Sequence, residues 1–331
     1  MATIPDMMQA IAVINAGKDS KLQLTQCPVP QPGADQLLVK VAAAGINRAD
    51  LMQRRGLYPP PPGDSDILGL EVAGIVVAAG PQHKHWLGKA VFGLVNGGGY
   101  AEYALMQAGH AMAVPNGYSM AEAAAVAEVF LTAYQLLCSI GNLQTGQRVL
   151  IHAGASGVGT AAIQLACALG AEVAVTASNE EKLSACRQLG AGLIINYTTT
   201  DFAQVLAQQW PEGINLILDP VAGDYIRREI PLLAMDAKVV IYAMMGGRDI
   251  PSLDLAALFK RRGQLICSTL RNRSNRYKTN LTQAFSQAFG KALAQRQLQP
   301  VLQQQFYWQQ AEQAHQLMAS NATVGKLVLT F

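Results

Sequence analysis

Charge is scarce in this chain. Asp, Glu, Lys and Arg make up 14% of its 331 residues, and 25 basic against 22 acidic side chains leave a formal charge of +3. So small an excess gives no electrostatic footprint for nucleic acid. The densest basic group, Arg271, Arg273, Arg276 and Lys278, reads as a solvated loop. No uninterrupted apolar run reaches the ~20 residues that span a bilayer. The opening MATIPDMMQAIAV lacks the basic start, long apolar segment and small-residue cleavage site of a signal peptide. The five cysteines, Cys27, Cys138, Cys167, Cys186 and Cys267, are far apart and odd in number. That argues against a disulfide framework and for reduced thiols. The expectation is a cytoplasmic protein with neither nucleic-acid nor membrane partners. What is plentiful is apolar: half the residues are hydrophobic, enough for a large core in about two domains at this length.

The rhythm of the chain changes once. Before Ser119 the pattern is β-type, with strands expected at QLLVKVAAAGI (36–46) and EVAGIVVAAG (71–80). The four prolines of Pro59–Pro62 between them make a stiff loop. VFGLVNGGGYAEYALM reads as two strands about a glycine-rich turn, and this first part suggests an irregular β-barrel. SMAEAAAVAEVFLTAYQLLCSIG has helical spacing, opened by Ser119 and Glu122 as a capping box. Strands and helices of ten or so residues then alternate through QLICSTL, which predicts a parallel sheet covered on both faces. GDYIRREIPLLAM is expected as helix, a further helix around 278–294, and strands at QQQFYW and GKLVLTF.

The first of these βα turns is IHAGASGVGTAAIQLA (151–166). It carries the dinucleotide-binding pattern G-x-G-x-x-G with one change: Gly154, Ser156 in place of the middle glycine, and Gly159. A strand precedes it and a helix follows, which is the context the motif requires. Free N–H groups of Gly157 and Val158 at the helix start suit a pyrophosphate. The Ser156 side chain should hold the phosphates slightly away, and its hydroxyl can donate in return. The alternative is a structural turn that binds nothing. An NAD site places a carboxylate at the tip of the second strand; here the tip is VTAS (175–178). Ser178, Lys182 one turn into the next helix, and Tyr197 after the third strand offer donors for a 2′-phosphate. NADPH is therefore expected over NADH. Glu180 and Glu181 weigh against this unless they point to solvent.

With AAGINRADLMQRRGLYPPPPG, ILGLEVAG, VLIHAGASGVGTAAIQLA, NLILDPVAG and VGKLVL on the page, the chain resembles the zinc-independent NADPH:quinone oxidoreductases of the medium-chain dehydrogenase/reductase superfamily. The similar stretches span nearly the whole sequence. The resemblance implies an α/β protein: a GroES-like β-barrel catalytic domain, residues 1–129 and 271–331, and an inserted Rossmann domain with a doubly wound parallel sheet, residues 130–270. It places the active site in the cleft between them and implies a homodimer paired through the Rossmann sheet edge.

The resemblance also assigns residues. Zinc-dependent relatives use Cys where this chain has Asn47 and His where it has Leu70, beside Glu71. An amide and an isobutyl group do not suit zinc, so no metal is expected. Asn47 would hydrogen-bond a substrate carbonyl. Tyr58 would donate its hydroxyl, stack on a ring, or pack on the prolines. Asp50 reads as structural, pairing with Arg48 or capping a turn. Thr132, Met244, Gly246, Leu270 and Asn321 match cofactor-contacting positions, and Lys326 also matches a position that reaches the cofactor. His152, at a strand end, reads as a core histidine. The implied function is NADPH-dependent quinone reduction. Reduction of enones or enoyl thioesters, or NADPH sensing without turnover, are the alternatives.

Overall fold

Gln36–Ile46 lies at the centre of a seven-stranded sheet because both of its faces are apolar. It pairs antiparallel with Glu71–Ala79, Tyr103–Gln107 and Lys326–Thr330. Leu37, Val39, Val41 and Ala44 face one core, while Leu38 faces a smaller one with Met8, Ala10 and Tyr103. Beyond Glu71–Ala79 come Ala90–Leu94 and Ala111–Ala113. Beyond Lys326–Thr330 comes Leu302–Tyr307, in parallel. A hairpin of Met7–Ile14 and Lys21–Pro28 stands apart from this sheet. The last strand of the chain is thus the immediate neighbour of an early one, so the unit is assembled from both ends of the sequence.

The computed structural model describes residues 4–250 and 252–331. These form two compact units: the chain up to Leu131 together with Leu270–Phe331, and Thr132–Thr269. The second unit holds a six-stranded sheet in the order Leu193–Asn196, Glu172–Ala177, Arg148–Ile151, Ile214–Asp219, Leu233–Ile241, Gln264–Cys267. Every neighbouring pair is parallel. Numbered along the unit this is 3-2-1-4-5-6, the Rossmann order, whose ligand crevice opens where strands 1 and 4 diverge.

Two expectations need correction. The stretch 119–141 is not one regular helix. Ser119 and Glu122 do form the capping box, but Met120–Ala124 and Ala127–Tyr134 are separate, and Gln135–Ile140 is wound as a π-helix. There Gly141 N donates to Leu136 O at 2.9 Å, five residues back. As a whole, Met120–Ile140 is long and apolar enough to cross a bilayer, although Glu122 and Glu128 interrupt it in sequence. Its most apolar window is 67% buried inside the protein, so the apolarity serves the core. Second, the helix expected through IPLLAM stops at Glu229, and Leu233–Ile241 is already strand. Pro231 removes a backbone donor just after the helix, and Leu233 is drawn into the sheet beside Ile214.

Candidate functional site

The turn after Arg148–Ile151 is built by close approach. A Cβ on Gly154 would lie 2.8 Å from Val175 Cβ, and one on Gly159 would lie 2.4 Å from Ala153 O. These two positions therefore admit only glycine. The left-handed residue of the turn is Ala153, with φ 53°. Ser156 is the N-cap of helix Gly157–Ala168: its Oγ accepts from Gly159 N at 3.0 Å. That leaves the amides of Gly157 and Val158 at the open end of the helix, and it leaves the Ser156 hydroxyl proton to donate. Beside Ser156 lies the buried Tyr242 hydroxyl, which makes no well-formed hydrogen bond. Burial, and Asp219 nearby, push its pKa well up, so it too is a donor aimed at the turn. Sequence reasoning missed Tyr242, since nothing marks the strand end it sits on.

At the tip of Glu172–Ala177 the Lys182 ammonium donates to Ser178 Oγ at 3.3 Å. Asn179 caps the helix and so starts it here, its side chain accepting from Lys182 N. Glu180 and Glu181 are exposed while Lys182 is half-buried. Tyr197, 45% exposed, follows the adjacent strand, tied by its N–H to Ala177 O at 3.1 Å. A hydroxyl and an ammonium thus meet where a carboxylate would select a free ribose, with Tyr197 at the end of the neighbouring strand. Further along the sheet, Gly246 N donates to Val221 O at 2.7 Å, and Met244 is 62% exposed. Thr132 is half-buried at the start of this unit. An open helix end, a cradle that a Cβ would fill and a cationic strand tip with no carboxylate fit a phosphorylated dinucleotide.

His152, one residue before the turn, is fully buried with Nδ1 2.9 Å from Thr176 Oγ1. Its Nε2 lies 3.0 Å from Glu229 Oε1, although the two are not aligned as a hydrogen bond. Burial lowers the His152 pKa to about 4 and raises that of Glu229 to about 8. The pair is therefore neutral at pH 7, and it belongs to the core.

In the other unit the Asn47 side chain is engaged within the protein, and one of its two Nδ2 protons remains for a substrate carbonyl. Its Nδ2 donates to Glu71 Oε1 at 2.9 Å, and its Oδ1 accepts from Lys326 Nζ at 2.7 Å. Lys326 also donates to Ile46 O and pairs with Glu71 Oε1, each at 2.7 Å. The second Glu71 oxygen accepts from Glu128 N at 2.8 Å. The expectation that Lys326 reaches a cofactor fails, since all three of its protons are spent inside this cluster. Nor does the cluster suit zinc: its carboxylate already accepts from Asn47 Nδ2, Lys326 Nζ and Glu128 N, and the ammonium stands against it. Among the described residues no three His, Cys, Asp or Glu groups gather as a metal site. Asp50 does not pair with Arg48; it caps, accepting from Asn47 N at 2.8 Å and Gly69 N at 3.0 Å. Burial raises its pKa to about 6.

Tyr58 is half-buried, with the Arg271 guanidinium 5.3 Å from its ring centroid. Among the described residues its hydroxyl has no hydrogen-bond partner, and burial, helped by Glu128, raises its pKa. It therefore keeps its proton at neutral pH. Leu270 is buried and belongs to this unit; Asn321, with φ 57°, accepts from Arg48.

Comparison with known proteins agrees with this architecture. Residues 33–116 match the alcohol dehydrogenase GroES-like domain family, and residues 157–287 the zinc-binding dehydrogenase family. The human synaptic vesicle membrane protein VAT-1 homolog is 32% identical over 255 residues, 76% of this chain; the match spans 65% of that relative's length. A mycobacterial quinone oxidoreductase structure is 27% identical with a TM-score of 0.83, covering 98% of this chain and all of the other. A mycobacterial protein solved in complex with NADPH is 27% identical with a TM-score of 0.84 and the same coverage.

Proposed function

Because the chain belongs to the medium-chain dehydrogenase/reductase superfamily, among its quinone-oxidoreductase-like members, we propose that this oxidoreductase reduces quinones with NADPH and without zinc. The observation that carries the reading is the Ser178–Lys182 pair at a strand tip free of carboxylate, next to the Gly154–Gly159 cradle. NADPH is the cofactor, and when bound it supplies a hydride. Gly157, Val158 and Ser156 would hold its pyrophosphate, and Ser178, Lys182 and Tyr197 its 2′-phosphate. A quinone is already electrophilic and needs no Lewis acid. Tyr58 donates the proton to the reduced oxygen, since its hydroxyl is unbonded and protonated. Asn47 is part of the cluster that fixes the start of helix Arg48–Arg54 and keeps one Nδ2 proton for the substrate carbonyl.

Lys182→Ala is expected to weaken NADPH binding roughly 10–100-fold, as for loss of one charge-assisted hydrogen bond, and to leave NADH affinity nearly unchanged. Fluorescence titration with both nucleotides checks this; equal losses would remove the 2′-phosphate assignment. Steady-state NADPH oxidation with quinones, enones and enoyl thioesters tests the substrate. Faster turnover of an enone would replace the quinone reading, and tight NADPH binding with no turnover would make the protein a sensor.

The same reading includes a homodimer. Gln264–Cys267 is an unpaired sheet edge, and the helix just before it leaves Leu255 and Phe259 64% and 82% exposed. Such an edge invites strand addition, and exposed apolar side chains beside it favour a second copy. Phe259→Asp should shift the mass in light scattering from dimer to monomer; a monomeric native chain, or a dimeric variant, would refute this interface.

A further inference from the structure

The basic stretch that reads as a solvated loop is only half solvated. Arg273 and Arg276 are exposed, but Arg271 and Lys278 are 7% and 4% exposed. Lys278 lies in the first turn of helix Asn275–Ala294, and Arg271 precedes that helix. Arg271 donates from one terminal nitrogen to Tyr58 O at 3.1 Å and from the other to Gln53 Oε1 at 2.6 Å. Its Nε–H is buried and has no acceptor among the described residues. Lys278 spends one proton on Asn96 Oδ1 at 3.0 Å and has two left. Neither cation forms an ion pair among the described residues. Two buried cations hydrogen-bonded only to neutral acceptors are costly, because each has given up hydration without a direct ion-pair partner.

Resting on the quinone reading above, we infer that Arg271 and Lys278 form a seat for an anionic group on the substrate, a carboxylate or sulfonate carried beside the ring that is reduced. The Arg271 Nε–H and the spare Lys278 protons are the donors such a group accepts. Each cation lies in the other's field, and Arg271 covers the Tyr58 ring, so the seat adjoins the proposed proton donor. The acids that share the region are Asp64, half-buried, Glu128, and the buried Asp50, which lies in the field of Arg271; none of them forms an ion pair with Arg271 or Lys278. Burial and the nearby Glu71 raise the Glu128 pKa to about 7.

The test compares kcat/KM for 1,2-naphthoquinone-4-sulfonate with that for 1,2-naphthoquinone. The ratio should fall at least tenfold in Lys278→Met and recover in Lys278→Arg. Arg271→Lys, which keeps a charge but loses the Nε–H, should lower it too, and it stands in should Lys278→Met fail to fold. A ratio unchanged in these variants overturns the seat. So does an NADPH dissociation constant that rises in step, since the anion would then be a cofactor phosphate. If neither quinone is turned over, the quinone reading fails and the seat is judged by calorimetry with naphthalene-2-sulfonate. Binding to the native chain that Lys278→Met abolishes supports it, and equal or absent binding overturns it.

Discussion

Lys326→Met should cost the folded chain about 3–5 kcal/mol, the usual penalty for removing one partner of a buried ion pair. Lys326 is 2% exposed and Glu71 fully buried. The ammonium is shared among Glu71 Oε1, Asn47 Oδ1 and Ile46 O. Without it Glu71 keeps only Asn47 Nδ2 and Glu128 N, and Asn47 Oδ1 is stranded. A loss of that size is a large share of the 5–15 kcal/mol by which folded domains are held. Lys326→Met combined with Glu71→Gln should recover part of it, since both buried charges are then gone and a neutral amide can still meet Asn47 and Glu128 N. Calorimetry on the native chain, both single variants and the pair checks this. Strictly additive losses would mean that the ion pair does not hold the cluster together.

The second large effect is a pH dependence carried by Glu229. In the folded chain its carboxyl keeps the proton up to about pH 8; in the unfolded chain it releases it near 4.5. Between those values the unfolded state binds fewer protons, so stability declines as pH rises from about 4.5 to 8 and levels off above that. Glu229→Gln removes the titration and leaves a neutral group facing His152 Nε2. The variant should match the native chain near pH 5 and exceed it by a few kcal/mol at pH 8. His152, whose pKa is lowered to about 4, makes both proteins lose stability on acidification from its unfolded value near 6.5, so that limb drops out of the comparison. Thermal unfolding from pH 5 to 8.5 reads the gap between the two proteins. A gap that stays constant with pH would show that Glu229 is already ionised in the fold.

Much of the architecture could be read from local pattern. The alternation of short apolar runs with ten-residue helices announced a parallel sheet, and G-x-S-x-x-G after a strand marked its first turn. Those signals are local because hydrogen bonding within one βα unit sets them. The errors have local causes too. Leu233–Met235 looked helical because nothing in the run shows which strand will pair with it, and Leu233 meets Ile214, nineteen residues earlier. The π-wound end of the linking helix carries no breaker before Gly141.

The polar residues divide differently. That Asn47, Glu71 and Lys326 are present, and that Ser178 and Lys182 stand where a carboxylate is missing, is plain from residue identity. What each does depends on which other residue arrives beside it. Asn47 and Lys326 are 279 positions apart and meet because Lys326–Thr330 pairs with Gln36–Ile46; only that pairing ties the amide into a buried cluster. Arg271 and Lys278 looked solvated because charge favours water, and only packing against Tyr58, Gln53 and Asn96 took that water away. Short-range chemistry is written along the chain, whereas burial and long-range pairing arise from contacts that no window of residues contains.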